Sequence, residues 1–111
     1  MANSVIYTHT FVKRAKQFKK KHPSLTDDLA QLEKVLLHNP QQGADLGGGL
    51  YKIRLAVKSK GRGKSGGYRI ISYLITSDVD SVTVNLIYIY DKAEEATITK
   101  QEILQLLNTD Y

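Results

Sequence analysis

Cysteine is absent from the 111 residues, which excludes disulfide frameworks, thiolate metal sites and cysteine nucleophiles. Proline occurs only as Pro23 and Pro40, and each marks the end of a helical segment. Long apolar runs are missing too. None approaches the roughly 20 residues that a membrane-spanning helix needs, and the amino terminus is polar. The expectation is one soluble domain over residues 1–111, most simply cytoplasmic, with a single modest core and no membrane partner.

Acidic residues are missing from two long stretches. Residues 13–22 carry Lys13, Arg14, Lys16, Lys19, Lys20 and Lys21 without one acid, a sum of +6. Residues 50–70 carry Lys52, Arg54, Lys58, Lys60, Arg62, Lys64 and Arg69, a sum of +7. The compensating acids lie elsewhere, leaving −3 over residues 23–49 and −5 over residues 71–111. Such segregation fits a polyanionic partner, because clustered cations gain by releasing its counterions. A solvated basic surface is the plain alternative, and it is harder to sustain for residues 50–70, which fall on strands.

Periodicity gives the element order. Ser4 to Tyr7 reads as a short strand. Thr10 can cap a helix that presents Phe11, Ala15 and Phe18 on one side. Thr26, with Asp27 and Asp28 favouring the positive end of a helix dipole, opens a second helix with a Leu25, Leu29, Leu32 and Leu36 stripe. All eight glycines lie between Gly43 and Gly67. Within that region Tyr51, Ile53, Leu55 and Val57 alternate with Lys52, Arg54, Ala56 and Lys58, a strand with one apolar and one cationic face. Tyr68–Ile75 reads as a central strand and Val82–Tyr90 as the next. Connectors this short require an antiparallel meander. Thr99 and Glu102 form a capping box for a last helix, with Ile98 and Ile103 as its staple and Leu106 and Leu107 on its packing face. The order β-α-α-β-β-β-α predicts a two-layer α+β domain, an antiparallel sheet packed on a helical hairpin.

Few familiar motifs apply. Residues Gly61 to Gly66 match the letters G-x-G-x-x-G, but a strand follows where a dinucleotide fold needs a helix. Lys58 occupies the position where a P-loop needs its first glycine. A flexible cationic hairpin tip suits the segment better than a nucleotide site. His9, His22 and His38 stand at helix borders without metal-type spacing, as surface or capping residues do. There remain Lys52 and Arg54 on one strand, Arg69 on the next, and Tyr90 with Lys92 ending the third. In a meander these residues come within reach of one another. They could then hold a phosphodiester and stabilise charge developing on it, and crowding of cations lowers a lysine pKa toward use as a base. The same residues could equally serve to solubilise an open sheet face.

The order of motifs resembles the RelE/ParE superfamily of bacterial type II toxins. The resemblance is carried by Leu36-Leu37-His38-Asn39-Pro40, then Gly43, then Gly49-Leu50-Tyr51-Lys52-Ile53-Arg54. Lys58-Ser59-Lys60-Gly61-Arg62-Gly63-Lys64-Ser65-Gly66-Gly67-Tyr68-Arg69-Ile70-Ile71 is similar to the HigB-type branch, as is Ile89-Tyr90-Asp91-Lys92. That branch often continues with Asn-Glu, where this chain has Ala93-Glu94.

The resemblance spans roughly residues 5–107. It implies a toxin that cleaves messenger RNA on a translating ribosome, without metal or other cofactor, by attack of a ribose 2′-hydroxyl on the adjacent phosphate. By the same resemblance Lys52 and Arg54 position phosphate or transfer protons, and Arg69 stabilises the transition state. Tyr90 and Lys92 orient the base or protonate the leaving oxygen, while Lys58, Lys60, Arg62 and Lys64 grip ribosomal RNA. It also implies a cognate antitoxin, of helix-turn-helix type, that neutralises the toxin. The alternative within the superfamily is a ParE-like protein that poisons DNA gyrase by binding alone.

Overall fold

Three strands with short connectors dictate the centre of the molecule. The computed structural model describes residues 3–61, 67–78, 80–95 and 98–110. In it β3 (Leu50–Leu55), β4 (Tyr68–Asp78) and β5 (Ser81–Asp91) form the expected antiparallel meander. They follow β1 (Ser4–Tyr7), α1 (His9–Lys21), α2 (Leu25–His38) and β2 (Ala44–Gly47), and α3 (Lys100–Asp110) ends the chain. The sheet order is β1-β5-β4-β3-β2. The α+β class stands, with two additions. Ala44–Gly47 is a short edge strand paired with β3, which its Asp and Gly content does not announce. The sheet is mixed, because β1 pairs with β5 in parallel; residues 8–80 separate those two strands, so no tight hairpin constrains their direction.

The helical hairpin covers one face. Thr8, rather than Thr10, caps α1: its Oγ1 accepts from the Phe11 N–H at 3.4 Å and donates to the Leu86 carbonyl at 3.0 Å. One hydroxyl thus starts the helix and fastens it to β5. Likewise α2 begins at Leu25 after Ser24, ahead of Thr26. Asp28 is buried, and its carboxylate accepts from Ser24 Oγ at 2.8 Å and from the Lys58 N–H at 3.2 Å. Phe11, Leu25, Leu32 and Leu36 pack with Ile53, Leu55, Ile70, Val84, Leu86 and Ile89 in one core. Each such side chain contributes roughly 1.5–3 kcal/mol on burial.

A smaller core lies on the other face, where Leu50, Ile71 and Ile87 meet Ile103 of α3. The capping box forms as the sequence requires. The Thr99 N–H donates to Glu102 Oε1 at 3.0 Å and the Glu102 N–H to Thr99 Oγ1 at 3.1 Å. A bulge makes this second core possible. Ile71 is opposite Tyr88 and Ser72 opposite Leu86, so Ile87 is the extra residue and joins Tyr88 on the α3 side. Among the described residues no helix is long and apolar enough to cross a membrane.

Gly43 decides how closely the chain approaches β3. Its φ is +92°, and a Cβ there would stand 2.2 Å from the Lys52 carbonyl oxygen. Both the backbone conformation and the contact demand glycine. Gly43→Ala should therefore lower stability by about 2–3 kcal/mol, read as a fall in the urea unfolding midpoint; an unchanged midpoint would show that the strand edge yields freely.

Candidate functional site

Strand register, not chance proximity, assembles the candidate residues. Arg54 of β3 is directly opposite Arg69 of β4, and Arg69 is directly opposite Tyr90 of β5. Side chains so paired lie on one face with Cβ atoms about 4.5–5.5 Å apart. Their neighbours Ile53, Leu55, Tyr68, Ile70 and Ile89 all belong to the core beneath the helical hairpin, so alternation places the Arg54-Arg69-Tyr90 row on the opposite face. Lys52 shares that face one row along, where its partner is Ile71. Lys92 follows β5, its N–H bonded to the Gly67 carbonyl at 3.2 Å beside the start of β4.

The row grades from open to enclosed. Arg54 is exposed and Lys52 half-buried, and neither has an ion-pair partner among the described residues. Arg69 retains only 5% of its surface and Tyr90 only 1%. The Arg69 Nη1 donates to the Tyr68 carbonyl at 3.3 Å. Tyr88 and Tyr90 have ring centroids 6.1 Å apart, so the aromatic side of the row is packed. Two guanidinium groups directly opposite one another work against sheet stability. An anion held between them, bidentate to a planar, permanently charged fork, would offset that cost.

The remaining basic residues divide. Lys58 is exposed at the start of a 3₁₀ turn spanning Lys58–Lys60. Arg62 and Lys64, with most of the glycine-rich connector, lie outside the described residues. Lys60 does not sit where an RNA-gripping lysine should. Its ammonium is ion-paired with Asp91, with side-chain exposures of 9% and 5%, and it lies 5.3 Å from the Tyr68 ring centre. Buried charges must be paired, so Asp91 claims the cation that composition alone assigns to solvent.

Around this pair is a network that holds the rim. Asp91 also accepts the Ala93 N–H at 2.9 Å. Burial works to raise the Asp91 pKa, but the hydrogen bonds from Lys60 and Ala93, with the charges of Lys60 and His22, outweigh it and hold the carboxyl below its ordinary value. The Tyr68 hydroxyl bonds His22 Nδ1 at 2.9 Å. Burial and the charges of Asp91 and Glu94 push that phenol up to about 12, so it stays protonated. Ser24 Oγ and Ser59 Oγ, 2.8 Å apart, tie the same turn to the α1–α2 junction.

Arg14 is the residue that sequence reasoning missed. It belongs to a run otherwise made of lysines, and that exception was its signal. Its Nε donates to the Ile89 carbonyl at 2.7 Å and its Nη2 pairs with Glu95 at 2.5 Å. Its guanidinium lies 4.2 Å from the Tyr88 ring centre. A lysine could not make this forked, stacked set of contacts. Past Tyr7 β1 has ended, so Arg14 covers the exposed edge of β5 at Ile89, next to Tyr90.

The model of the RelE toxin of the RelE/RelB toxin–antitoxin system matches residues 3–109. The chain belongs to the RelE toxin family. Its fold is similar to that of the free-state E. coli toxin RelE carrying two arginine-to-alanine substitutions. The TM-score is 0.61 at 17% identity, over 97% of each chain. Among curated proteins none matches the sequence. A likeness at this identity is one of fold, and the site must be argued from the side chains.

Asp91→Asn removes the charge that Lys60 needs, and breaking a buried pair from one side costs roughly 3–5 kcal/mol. The carboxyl is held below its ordinary value in the folded state, so its contribution is complete above the ordinary carboxylate range and disappears as pH falls below it. Unfolding midpoints of wild type and Asp91→Asn should therefore differ most near pH 7 and converge on acidification. A gap that does not change with pH would mean that the carboxylate charge is immaterial.

Proposed function

We propose that this toxin cleaves messenger RNA on the translating ribosome, using the Arg54-Arg69-Tyr90 row to hold the scissile phosphodiester. The single observation supporting this reading is the like-charge pair fixed in register beside a phenol. A purely structural sheet face gains nothing from it. In the reaction the 2′-oxygen bonds to phosphorus while the bond from phosphorus to the 5′-oxygen breaks, leaving a 2′,3′-cyclic phosphate. The 2′-hydroxyl gives up a proton and the 5′-oxygen gains one. Arg54 and Arg69 stabilise the charge gathering on the non-bridging oxygens. Lys52, on the same face, and Lys92, just past the end of β5, position phosphate or relay protons, and Tyr90, enclosed at the end of the row, backs the arginines. None of these steps needs a metal.

Ribosome contact falls to cations outside the row. Lys58 remains in that role, joined by Arg62 and Lys64, whereas Lys60 is better read as a structural lysine. Contacts of this kind recognise the shape and charge of RNA rather than its sequence. The family membership supports a cognate antitoxin as the second partner, and a small helix-turn-helix protein encoded beside this chain is the form we expect.

Arg54 is exposed, so Arg54→Ala tests the row without disturbing the core. It should reduce translation-dependent cleavage by about 10²–10³-fold with an unchanged melting temperature, and Arg69→Gln, which keeps a polar, hydrogen-bonding group in place, should reduce cleavage comparably. Primer extension on messages from induced cells is the measurement. Undiminished cleavage in both variants, or growth arrest through gyrase-linked DNA breaks with intact messages, would overturn the reading. Lys58→Ala should instead weaken ribosome association and lower the slope of log affinity against log salt by about 1.

A further inference from the structure

Beside Arg54, between the chain entering β2 and the outer edge of β3, lies a cleft of about 460 Å³ lined by Gln42, Gly43, Ala44, Lys52, Ile53 and Arg54. No lining residue is acidic. The pairing of β2 with β3 stops at Ala44 opposite Lys52, so from Ile53 onward the outer edge of β3 has no strand partner among the described residues. The close approach at Gly43 brings residue 42 against this edge. Gln42 is half-buried there, and its Nε2 donates to the Asn39 carbonyl at 3.2 Å.

That bond fixes which way the amide points. A backbone carbonyl can only accept, so it must be met by the NH₂ group, and Oε1 is the amide atom that this bond leaves available to a ligand. The cleft thus offers one fixed acceptor next to two cationic donors, Lys52 and Arg54, the latter a member of the phosphate-holding row. Single-stranded RNA is read by splaying a base into such a recess and hydrogen-bonding its edge.

We propose that this cleft receives the base of a nucleotide flanking the scissile phosphate, and that Gln42 is a specificity-determining residue accepting from an exocyclic amino group. The preference is then for adenine, cytosine or guanine over uracil. Uracil has no amino group, and its one N–H is hemmed by two carbonyls that the Gln42 oxygen repels. This inference rests on the RNA-cleavage reading and deepens it by naming a base preference at one position.

The test is to map cleavage sites on a mixed-sequence message with purified toxin and translating ribosomes. Wild type should disfavour uracil at one position adjoining the cut by about five- to tenfold, the discrimination of a single good base contact. Gln42→Met, which keeps side-chain length without polar atoms, and Gln42→Ala should both flatten that preference. The loss should fall on sites with adenine, cytosine or guanine at that position, while cleavage at uracil sites stays within about threefold of wild type and the melting temperature is unchanged. An unaltered base preference in both variants, or an equal fall at every site, overturns the proposal for Gln42. A wild type that cleaves with no bias against uracil at either neighbouring position overturns it too, while leaving the nuclease reading intact. A wild type that cleaves nothing removes the nuclease reading and this inference together.

Discussion

The register between β3, β4 and β5 is the constraint on which the rest depends. It sets Arg54 against Arg69 and Arg69 against Tyr90. Slipping either pairing by one residue would turn every side chain of a strand to the other face. The apolar face forbids that slip. Ile53, Leu55, Ile70 and Ile89 are buried beneath the hairpin, and moving them to the opposite side would forfeit several contributions of roughly 1.5–3 kcal/mol each. Hydrophobic burial on one face therefore enforces electrostatic crowding on the other. The sheet tolerates two arginines at paired positions because the helices beneath leave it no other register.

The second requirement is to hold the ends of these strands, where sheet pairing runs out. Two charged residues do this from opposite directions. Arg14 reaches from α1 to the open edge of β5 and fixes it by a carbonyl, a carboxylate and an aromatic face at once. Lys60 reaches from the 3₁₀ turn to Asp91 at the last position of β5. Both are cations from the two acid-free stretches of sequence, spent on structure rather than displayed. The count of positive charges thus overstates what is offered to a polyanion. What remains outward includes Lys58 and Arg54, together with the exposed lysines of α1.

The legible part of this fold was the part written in periodicity. Alternation over residues 51–58, the continuous apolar character of 68–75 and the Thr99–Glu102 capping box each reflect a local rule that the surroundings did not override. Local rules also fixed the element order and, through the short connectors, the antiparallel meander. From the meander came the convergence of Arg54, Arg69 and Tyr90, because neighbours in sequence order became neighbours in space. The caps were displaced by tertiary partners. Thr8 was favoured over Thr10 because its hydroxyl also reaches Leu86, and Ser24 precedes α2 because Asp28 and Ser59 meet it there. No window of sequence contains both members of such pairs.

Distance along the chain likewise hides the surroundings of Lys60 and Gln42. Lys60 and Asp91 are 31 residues apart, and nothing near either in sequence distinguishes a paired lysine from a solvated one. Gln42 draws its meaning from an amide whose orientation is set by Asn39 and from a strand edge that β2 leaves open past Ala44. Neither is a property of glutamine. Clustered cations attract any polyanion, but charge alone cannot tell one base from another. Discrimination needs a neutral group with a fixed donor or acceptor, and such a group carries no signal in composition. Clustered charge is accordingly readable from a sequence, whereas the orientation of a neutral amide emerges only when the backbone that fixes it is in view.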